Sequence, residues 1–208
     1  MKVLLINGSP HVEGCTYTAL REVAKELENE EIKIDFFHVG NKPIRACTAC
    51  RGCTSGKCVF NDDDVNIVLE KAKTVDGFVF GSPVHFAAAS GQITSFLSRF
   101  FFAGRVSNCF ENKPGAAIVS CRRGGATATF DQLNKYFAIS NMPIVPSQYW
   151  NMVHGNTPEE VKQDLEGMQT MRMLGKNMAW LLKSIQAGKK AGLPLPKKET
   201  RVATNFIR

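Results

Sequence analysis

Apolar positions follow two alternating periods along the chain. Short β-branched or aliphatic runs are separated by segments whose apolar residues recur at i, i+3, i+4 and i+7, the spacing of an amphipathic helix. We predict strands at residues 3–6, 32–37, 78–80, 116–119 and 144–145, and helices around residues 20–27, 65–72, 93–101, 126–138 and 161–185. This alternation predicts a doubly wound α/β fold, in which a five-stranded parallel sheet lies between two layers of helices.

The net charge of the chain is concentrated near its C-terminus. The 208 residues carry a formal charge of +7, with 44% hydrophobic and 22% charged residues, which is typical of a globular domain. Residues 183–208 hold seven basic residues and one acidic residue, 7 − 1 = +6, which leaves 19 − 18 = +1 for residues 1–182. We therefore predict a domain over 1–187 and an extended basic tail over 188–208. A nearly neutral domain argues against nucleic-acid binding.

Hydropathy and cysteine usage indicate a cytoplasmic protein. No apolar run approaches the ~18 residues that span a bilayer, and the apolar stretch that starts the chain ends at Asn7, so we expect neither a membrane segment nor a signal peptide. Cytosolic thiols are kept reduced, and clustered cysteines there are more often metal ligands or catalysts than disulfide partners. The chain has seven cysteines, and four of them lie within residues 47–58.

Three loops follow predicted strands, at the sheet edge where ligands bind in such folds. The first, 8–16 (GSPHVEGCT), lacks the Walker lysine and the three-glycine dinucleotide spacing. Its hydroxyls and backbone N–H groups suit a phosphate monoester, although a plain helix cap with a tight turn is the alternative. The second, 81–92, offers small residues with His85 and Phe86 as flat faces, and the third, 120–127, offers glycines and hydrogen-bond donors. Together they suit a phosphorylated ligand with a flat polar ring.

A compact cysteine motif, C-x2-C-x2-C-x4-C, lies in an insertion over 45–61 between the second strand and the next helix. Its members are Cys47, Cys50, Cys53 and Cys58. Three thiolates at intervals of three, completed by a fourth, suit an iron–sulfur cluster. Zinc sites more often use two well-separated cysteine pairs. A cluster, a zinc ion and redox-active free thiols all remain open on the spacing alone.

The three loops resemble the FMN-binding loops of the flavodoxin-like NAD(P)H-dependent FMN reductase family over roughly residues 1–150. The cysteine motif resembles that of the iron–sulfur flavoprotein branch, in which such a run binds a [4Fe–4S] cluster beside an FMN domain. The resemblance implies that the four cysteines are the cluster ligands, and that flavin performs the electron chemistry, with His85 as the one candidate for a catalytic side chain. It implies FMN contacts from Ser9, His11, Cys15, Thr16, Tyr17, Pro83, Val84, His85, Phe86, Ser120, Arg122, Gly124 and Gly125.

These features lead to one functional hypothesis and two alternatives. The hypothesis is an FMN-dependent oxidoreductase with a [4Fe–4S] cluster, passing electrons between a carrier, ferredoxin or NAD(P)H, and a small acceptor. The resemblance further implies a homodimer or homotetramer. The first alternative is a cluster-free NAD(P)H-dependent reductase of FMN or quinones. The second, from another class, is a zinc-stapled binding module whose basic tail docks on acidic partners.

Overall fold

Strands and helices alternate in the computed structural model, which describes residues 1–200, 202–204 and 206. The strands are β1 (Lys2–Asn7), β2 (Lys33–His38), β3 (Gly77–His85), β4 (Ala88–Ala89), β5 (Gly115–Cys121) and β6 (Met152–His154). The helices are α1 (Cys15–Asn29), α2 (Val65–Lys73), α3 (Gly91–Gly104), α4 (Ala126–Ile139), α5 (Pro158–Gln163) and α6 (Leu165–Lys190).

Five of the strands form a parallel sheet in the order β2-β1-β3-β5-β6, which confirms the predicted doubly wound fold. Strand β4 pairs antiparallel with the end of β3 and forms a short hairpin beyond the sheet. In β1, an interior strand, Leu5 pairs with Phe36 of β2 on one side and with Val79 of β3 on the other. Both faces of β1 are covered, which explains why its sequence is a continuous apolar run.

Two hydrophobic cores fill the space on either side of the sheet. On one face, α1 packs against α6 through buried side chains that include Val23, Met171 and Met178. Methionines of the last helix, including Met168, Met171 and Met178, are therefore part of this core. On the other face, α2, α3 and α4 enclose a cluster of phenylalanines, in which the rings of Phe80 and Phe137 stack with centroids 5.0 Å apart.

The last strand and the last helix differ from the sequence prediction. The strand predicted at 144–145 is wrong: Ile144 makes an isolated bridge to Gly115, and the fifth parallel strand is β6. Prolines at 143 and 146 flank this pair and cannot donate ladder hydrogen bonds, so pairing does not extend there. The long final helix is divided at Asp164, whose side chain accepts the N–H of Gly167 and caps α6.

The predicted cysteine insertion lies within a long connection between β2 and α2. Residues 39–64 contain neither helix nor strand and pack beside α3. No helix among the described residues is long and apolar enough to cross a membrane. Beyond α6, the side chain of Lys198 forms an ion pair with Glu111.

Candidate functional site

The three loops predicted to carry chemistry meet at the carboxyl edge of the sheet. The N–H of Gly8, after β1, donates to the carbonyl of Gly81 in β3 at 2.8 Å. The hydroxyls of Thr16 and Ser120 are hydrogen-bonded at 2.8 Å, which joins the start of α1 to the end of β5. The structure thus brings together three segments that are far apart in the sequence.

The first loop is shaped by Asn7, a buried residue at the end of β1. Its side-chain oxygen accepts the N–H of Ser9 at 3.0 Å, and its amide nitrogen donates to the carbonyls of His11 and Val12 at 3.3 and 3.0 Å. The helix that follows begins after Gly14, which makes no side-chain cap. The first-turn N–H groups of α1 have no intrahelical acceptors, and they lie at the positive end of the helix dipole. This geometry suits an anionic group such as a phosphate.

The predicted phosphate residues have different positions around this loop. His11 is exposed at the loop surface, and its N–H donates to Ser9 Oγ at 3.1 Å. Thr16 is buried, with its hydroxyl directed to Ser120. Cys15 is half-buried, and its Sγ lies 3.7 Å from the carbonyl of Gly155. Burial is the main cause of the raised pKa of the Cys15 thiol.

Tyr17 is directed away from the first loop, toward β2. Its ring packs on Phe36 with centroids 5.5 Å apart and lines a groove beside α5. The ring nitrogen Nε2 of His38 lies 2.8 Å from the Ser9 carbonyl. Among the first-loop candidates, His11 is therefore exposed, while the Thr16 hydroxyl is bonded to Ser120 and the Tyr17 ring packs on Phe36.

The second loop is the β3–β4 hairpin. Pro83 and Val84 are half-buried and His85 is exposed. Phe86 and Ala87 turn the chain with φ of 51° and 58°, and the Phe86 ring is completely exposed. The sequence predicted flat faces at this position, and the structure holds the Phe86 ring out at the rim of the site.

Ser90 ties the hairpin to the first loop and begins the next helix. Its hydroxyl donates to the carbonyl of Gly8 at 2.7 Å and accepts the N–H of Ile93, which caps α3. Its own N–H donates to the hydroxyl of Ser82 at 3.0 Å. A single buried serine therefore couples two loops of the site to the start of a helix.

The third loop follows β5 and packs against the hairpin. Ser120 is buried, while Arg122 and Gly124 are exposed. Gly125 has a φ of +94°, and a Cβ built there would lie 2.7 Å from the Cα of Ala87 and 2.9 Å from Val84 Cγ1. Glycine at this position thus lets the third loop and the hairpin come into contact.

All four cysteines of the motif line one pocket beside α3. Cys53 is buried and Cys50 is exposed, and positive φ values at Ala49 and Arg51 turn the chain around the pocket. Burial, followed by the neighbouring thiols of the motif, raises the pKa of the Cys53 thiol. Within the described residues, no three Cys, His, Asp or Glu side chains converge as they would around a single ion. Four thiolates that hold a [4Fe–4S] cluster would each bind a different iron, so the four cysteine Sγ atoms do not have to converge on one point.

The cysteine segment, residues 45–63, is held against α3 by Arg99, which is 1% exposed. Its Nε donates to Cys58 Sγ at 3.2 Å, and its Nη2 donates to the Phe60 carbonyl at 2.8 Å. It also forms an ion pair with Asp63. Burial alone would lower the pKa of Arg99, but hydrogen bonds to Asp63 and Cys58 outweigh it and raise the pKa. A neutral thiol is a weak acceptor, so a buried guanidinium N–H directed at sulfur fits a metal-bound thiolate.

Several residues that shape the site were not predicted from the sequence. They are Asn7, Ser90, Arg99 and Asn66, whose side chain is hydrogen-bonded to the backbone of Cys58. An asparagine that ends an apolar strand before Gly-Ser-Pro is a turn signal that could have identified Asn7. Arg99 lies among Phe96, Phe100 and Phe101 on the apolar stripe of its helix, and an arginine there requires a buried partner.

The strand order and the edge where the loops meet define a class of protein. Without the hairpin strand β4, the order is that of the flavodoxin-like sheet, whose flavin phosphate site follows the first strand. The family model described as NADPH-dependent FMN reductase matches residues 1–157. The chain belongs to this family, in its iron–sulfur flavoprotein branch, and it is an oxidoreductase.

Relatives and solved structures agree with this assignment. An iron–sulfur flavoprotein of Methanocaldococcus jannaschii is 34% identical over 194 residues, covering 89% of this chain and 100% of that protein. One of Methanosarcina thermophila is 29% identical over 192 residues, covering 89% and 97%. Among structures, RosB with a bound riboflavin-phosphate intermediate has a TM-score of 0.71 at 14% identity, covering 99% and 92%. The NAD(P)H:quinone oxidoreductase of Methanothermobacter marburgensis has a TM-score of 0.67 at 13% identity, covering 86% and 96%. These structural matches support the fold.

Proposed function

We propose that this oxidoreductase binds FMN at the three-loop edge and a [4Fe–4S] cluster at the four cysteines, and transfers electrons between a carrier and a small acceptor. The observation that carries the proposal is the pairing of two sites in one chain. A pocket lined by four thiols lies beside α3, and the N-terminus of the same helix forms part of the three-loop edge. Bound flavin supplies two-electron and one-electron chemistry, and a cluster supplies one-electron chemistry.

The chain's own residues would hold the flavin phosphate chiefly through backbone. The first-turn N–H groups of α1 and the Ser9–Gly14 loop offer donors, and the loop is already held in shape by Asn7. The hairpin and the third loop would border the flat ring, with Phe86 and Arg122 exposed at the rim. His85 is exposed at the hairpin, where it can contact the ring edge.

The cysteine segment and the flavin edge are physically linked. Gln92, in the first turn of α3, donates to the Lys42 carbonyl at 3.1 Å, and the N–H of Cys47 donates to Ser98 Oγ at 3.0 Å. A cleft of 380 Å³ separates the first loop from the end of the segment and is lined by Pro10, His38 and Asp62 among others. These contacts support a role in which both cofactors serve one reaction.

Anaerobic purification followed by ultraviolet–visible spectroscopy, with iron, sulfide and zinc analysis, tests the proposal. We expect flavin bands over a broad brown absorbance, with iron and acid-labile sulfide. Yellow protein with flavin and no iron would support the cluster-free NAD(P)H-dependent FMN or quinone reductase. Colourless protein with stoichiometric zinc would support the binding module and contradict both.

The electron donor and the assembly are also open to direct measurement. We propose that ferredoxin or NAD(P)H reduces the protein in the cytoplasm, and that exposed aromatic side chains, including Phe86 and Trp150, contribute to a homodimer or homotetramer. Anaerobic bleaching of the flavin by NADPH or by reduced ferredoxin separates the two donors. Light scattering gives the oligomeric state, and a monomer would contradict the proposed assembly.

A further inference from the structure

One buried cation, the guanidinium of Arg99, contacts the cysteine segment near both of its ends. Besides Cys58 Sγ and the Phe60 carbonyl, Arg99 donates to the carbonyl of Arg45 at 3.3 Å. One guanidinium on α3 therefore holds the chain on both sides of the motif. Its charge is balanced by Asp63, whose side chain is 9% exposed.

Both the backbone and the sulfur of Cys58 are hydrogen-bonded to side chains of neighbouring helices. Asn66 accepts the N–H of Cys58 at 2.8 Å and donates to its carbonyl at 2.9 Å. Arg99 adds the contact to the sulfur itself. The backbone and the Sγ of this cysteine are thus fixed by two different side chains, and these can be removed separately.

We propose that Arg99 is the positioning residue of the cluster: its Nε–H fixes Cys58 Sγ and, by donating to that sulfur, raises the reduction potential of the cluster. This inference rests on the proposed cluster. Hydrogen bonds to ligand sulfurs and solvent exposure are two of the factors that set cluster potentials. An N–H directed at sulfur stabilises the reduced cluster, which carries one more negative charge. Since Asp63 neutralises the guanidinium, this directed N–H, more than net charge, produces the effect.

Three variants separate the contact of Arg99 with Cys58 Sγ from its contacts with the backbone of the cysteine segment. Arg99→Met removes the N–H and leaves Asp63 buried without its partner, which can prevent folding. The double variant Arg99→Met with Asp63→Asn removes both charges and avoids that penalty. Asn66→Ala is the matched control, because it loosens the same cysteine but keeps the Nε–H. Loosening admits water, and this is expected to leave the potential unchanged or make it more positive.

The decisive measurement is the midpoint potential of the cluster, from an anaerobic titration followed by electron paramagnetic resonance. We expect the double variant to lower the ratio of reduced to oxidised cluster about tenfold at a given potential, a shift of about 59 mV to more negative values. We expect Asn66→Ala to show no negative shift. Hydrogen exchange of residues 45–63 in the cluster-free chain is expected to increase in both variants.

The possible outcomes are distinguishable. An unchanged or more positive potential in the double variant, or an equal negative shift in Asn66→Ala, would overturn the assignment to Arg99. Failure of the proposed function has a different signature: wild-type protein purified anaerobically would contain neither iron nor sulfide, and the inference would fall with it. Arg99→Lys gives a further check, because it keeps the charge without the planar guanidinium. Its cluster potential is expected to lie between that of the double variant and that of the wild type.

Discussion

Gly125 offers a sharp test of the contact between the third loop and the β3–β4 hairpin. Its backbone has a φ of +94° and a ψ of 1°, a conformation that costs an L-residue about 1–2 kcal/mol. A Cβ at this position would also lie 2.7 Å from the Cα of Ala87, which is backbone and cannot rotate away. We therefore expect Gly125→Ala to cost about 1–3 kcal/mol in total.

This cost is expected in one of two measurable quantities. If the loop keeps its native conformation in the apoprotein, the free energy of unfolding falls by this amount. If the loop relaxes until FMN binds, the dissociation constant for FMN rises between about fivefold and about 150-fold. Titration of apoprotein into FMN, followed by quenching of flavin fluorescence, gives the affinity, and denaturant unfolding gives the stability.

Two glycine variants serve as controls for Gly125→Ala. Gly91 is the first residue of α3, has no atom within 4 Å of a built Cβ and does not have a positive φ, so Gly91→Ala is expected to change neither quantity. Gly40 has a φ of +81° with the same open space, so Gly40→Ala is expected to lower stability by backbone strain alone. If Gly125→Ala matched Gly91→Ala in both affinity and stability, the described packing of the two loops would be refuted.

Three further substitutions test the cluster ligands, the Ser90 cap and the Asp35 ion pairs. Cys50→Ser is expected to remove most iron and sulfide while leaving FMN bound, with Cys109→Ala as a control that keeps both; unchanged iron would rule out the four-cysteine ligand set. Ser90→Ala removes the α3 cap and leaves the Gly8 carbonyl without its donor. We expect it to lower the free energy of unfolding by about 2 kcal/mol and to weaken FMN binding. Wild-type stability and affinity in this variant would show that Ser90 does not link the two loops to α3. Burial tends to raise the pKa of Asp35, but the ammonium groups of Lys71 and Lys2 outweigh burial and lower this pKa. Asp35→Asn is therefore expected to lower the free energy of unfolding by about 1 kcal/mol near neutral pH. That difference from the wild type shrinks as the pH falls below about 4, because the carboxylate stabilises the fold only while it is ionised; a difference that persists in acid would contradict the ion-pair explanation.

Local pattern was sufficient to predict the layers of the fold, because each element carries its own period. The helical spacing of Leu20, Val23 and Leu27 corresponds to the buried face of α1, and the apolar run at 3–6 corresponds to β1, an interior strand of the sheet. The last strand was misplaced because β6 is three residues long and its first two residues are buried by tertiary packing. Ile144 and Val145 have stronger strand propensity, but the flanking prolines limit their pairing.

The candidate site shows the same division between local and tertiary information. Loop positions could be predicted because they follow from strand ends, and the cysteine motif is visible in the sequence itself. The directions of individual side chains could not. Thr16 turns inward to Ser120 and Tyr17 turns to Phe36, because partners from distant segments are available there. Arg99 was missed for a similar reason, since its acceptors lie 36 to 54 residues away in sequence.

We propose that one chain holds both a flavin and a cluster. The most direct measurement is the amount of FMN, iron and acid-labile sulfide in a single anaerobically purified sample, normalised to protein. We expect one FMN per chain with about four irons and about four sulfides. Stoichiometric FMN with iron and sulfide near zero would contradict it.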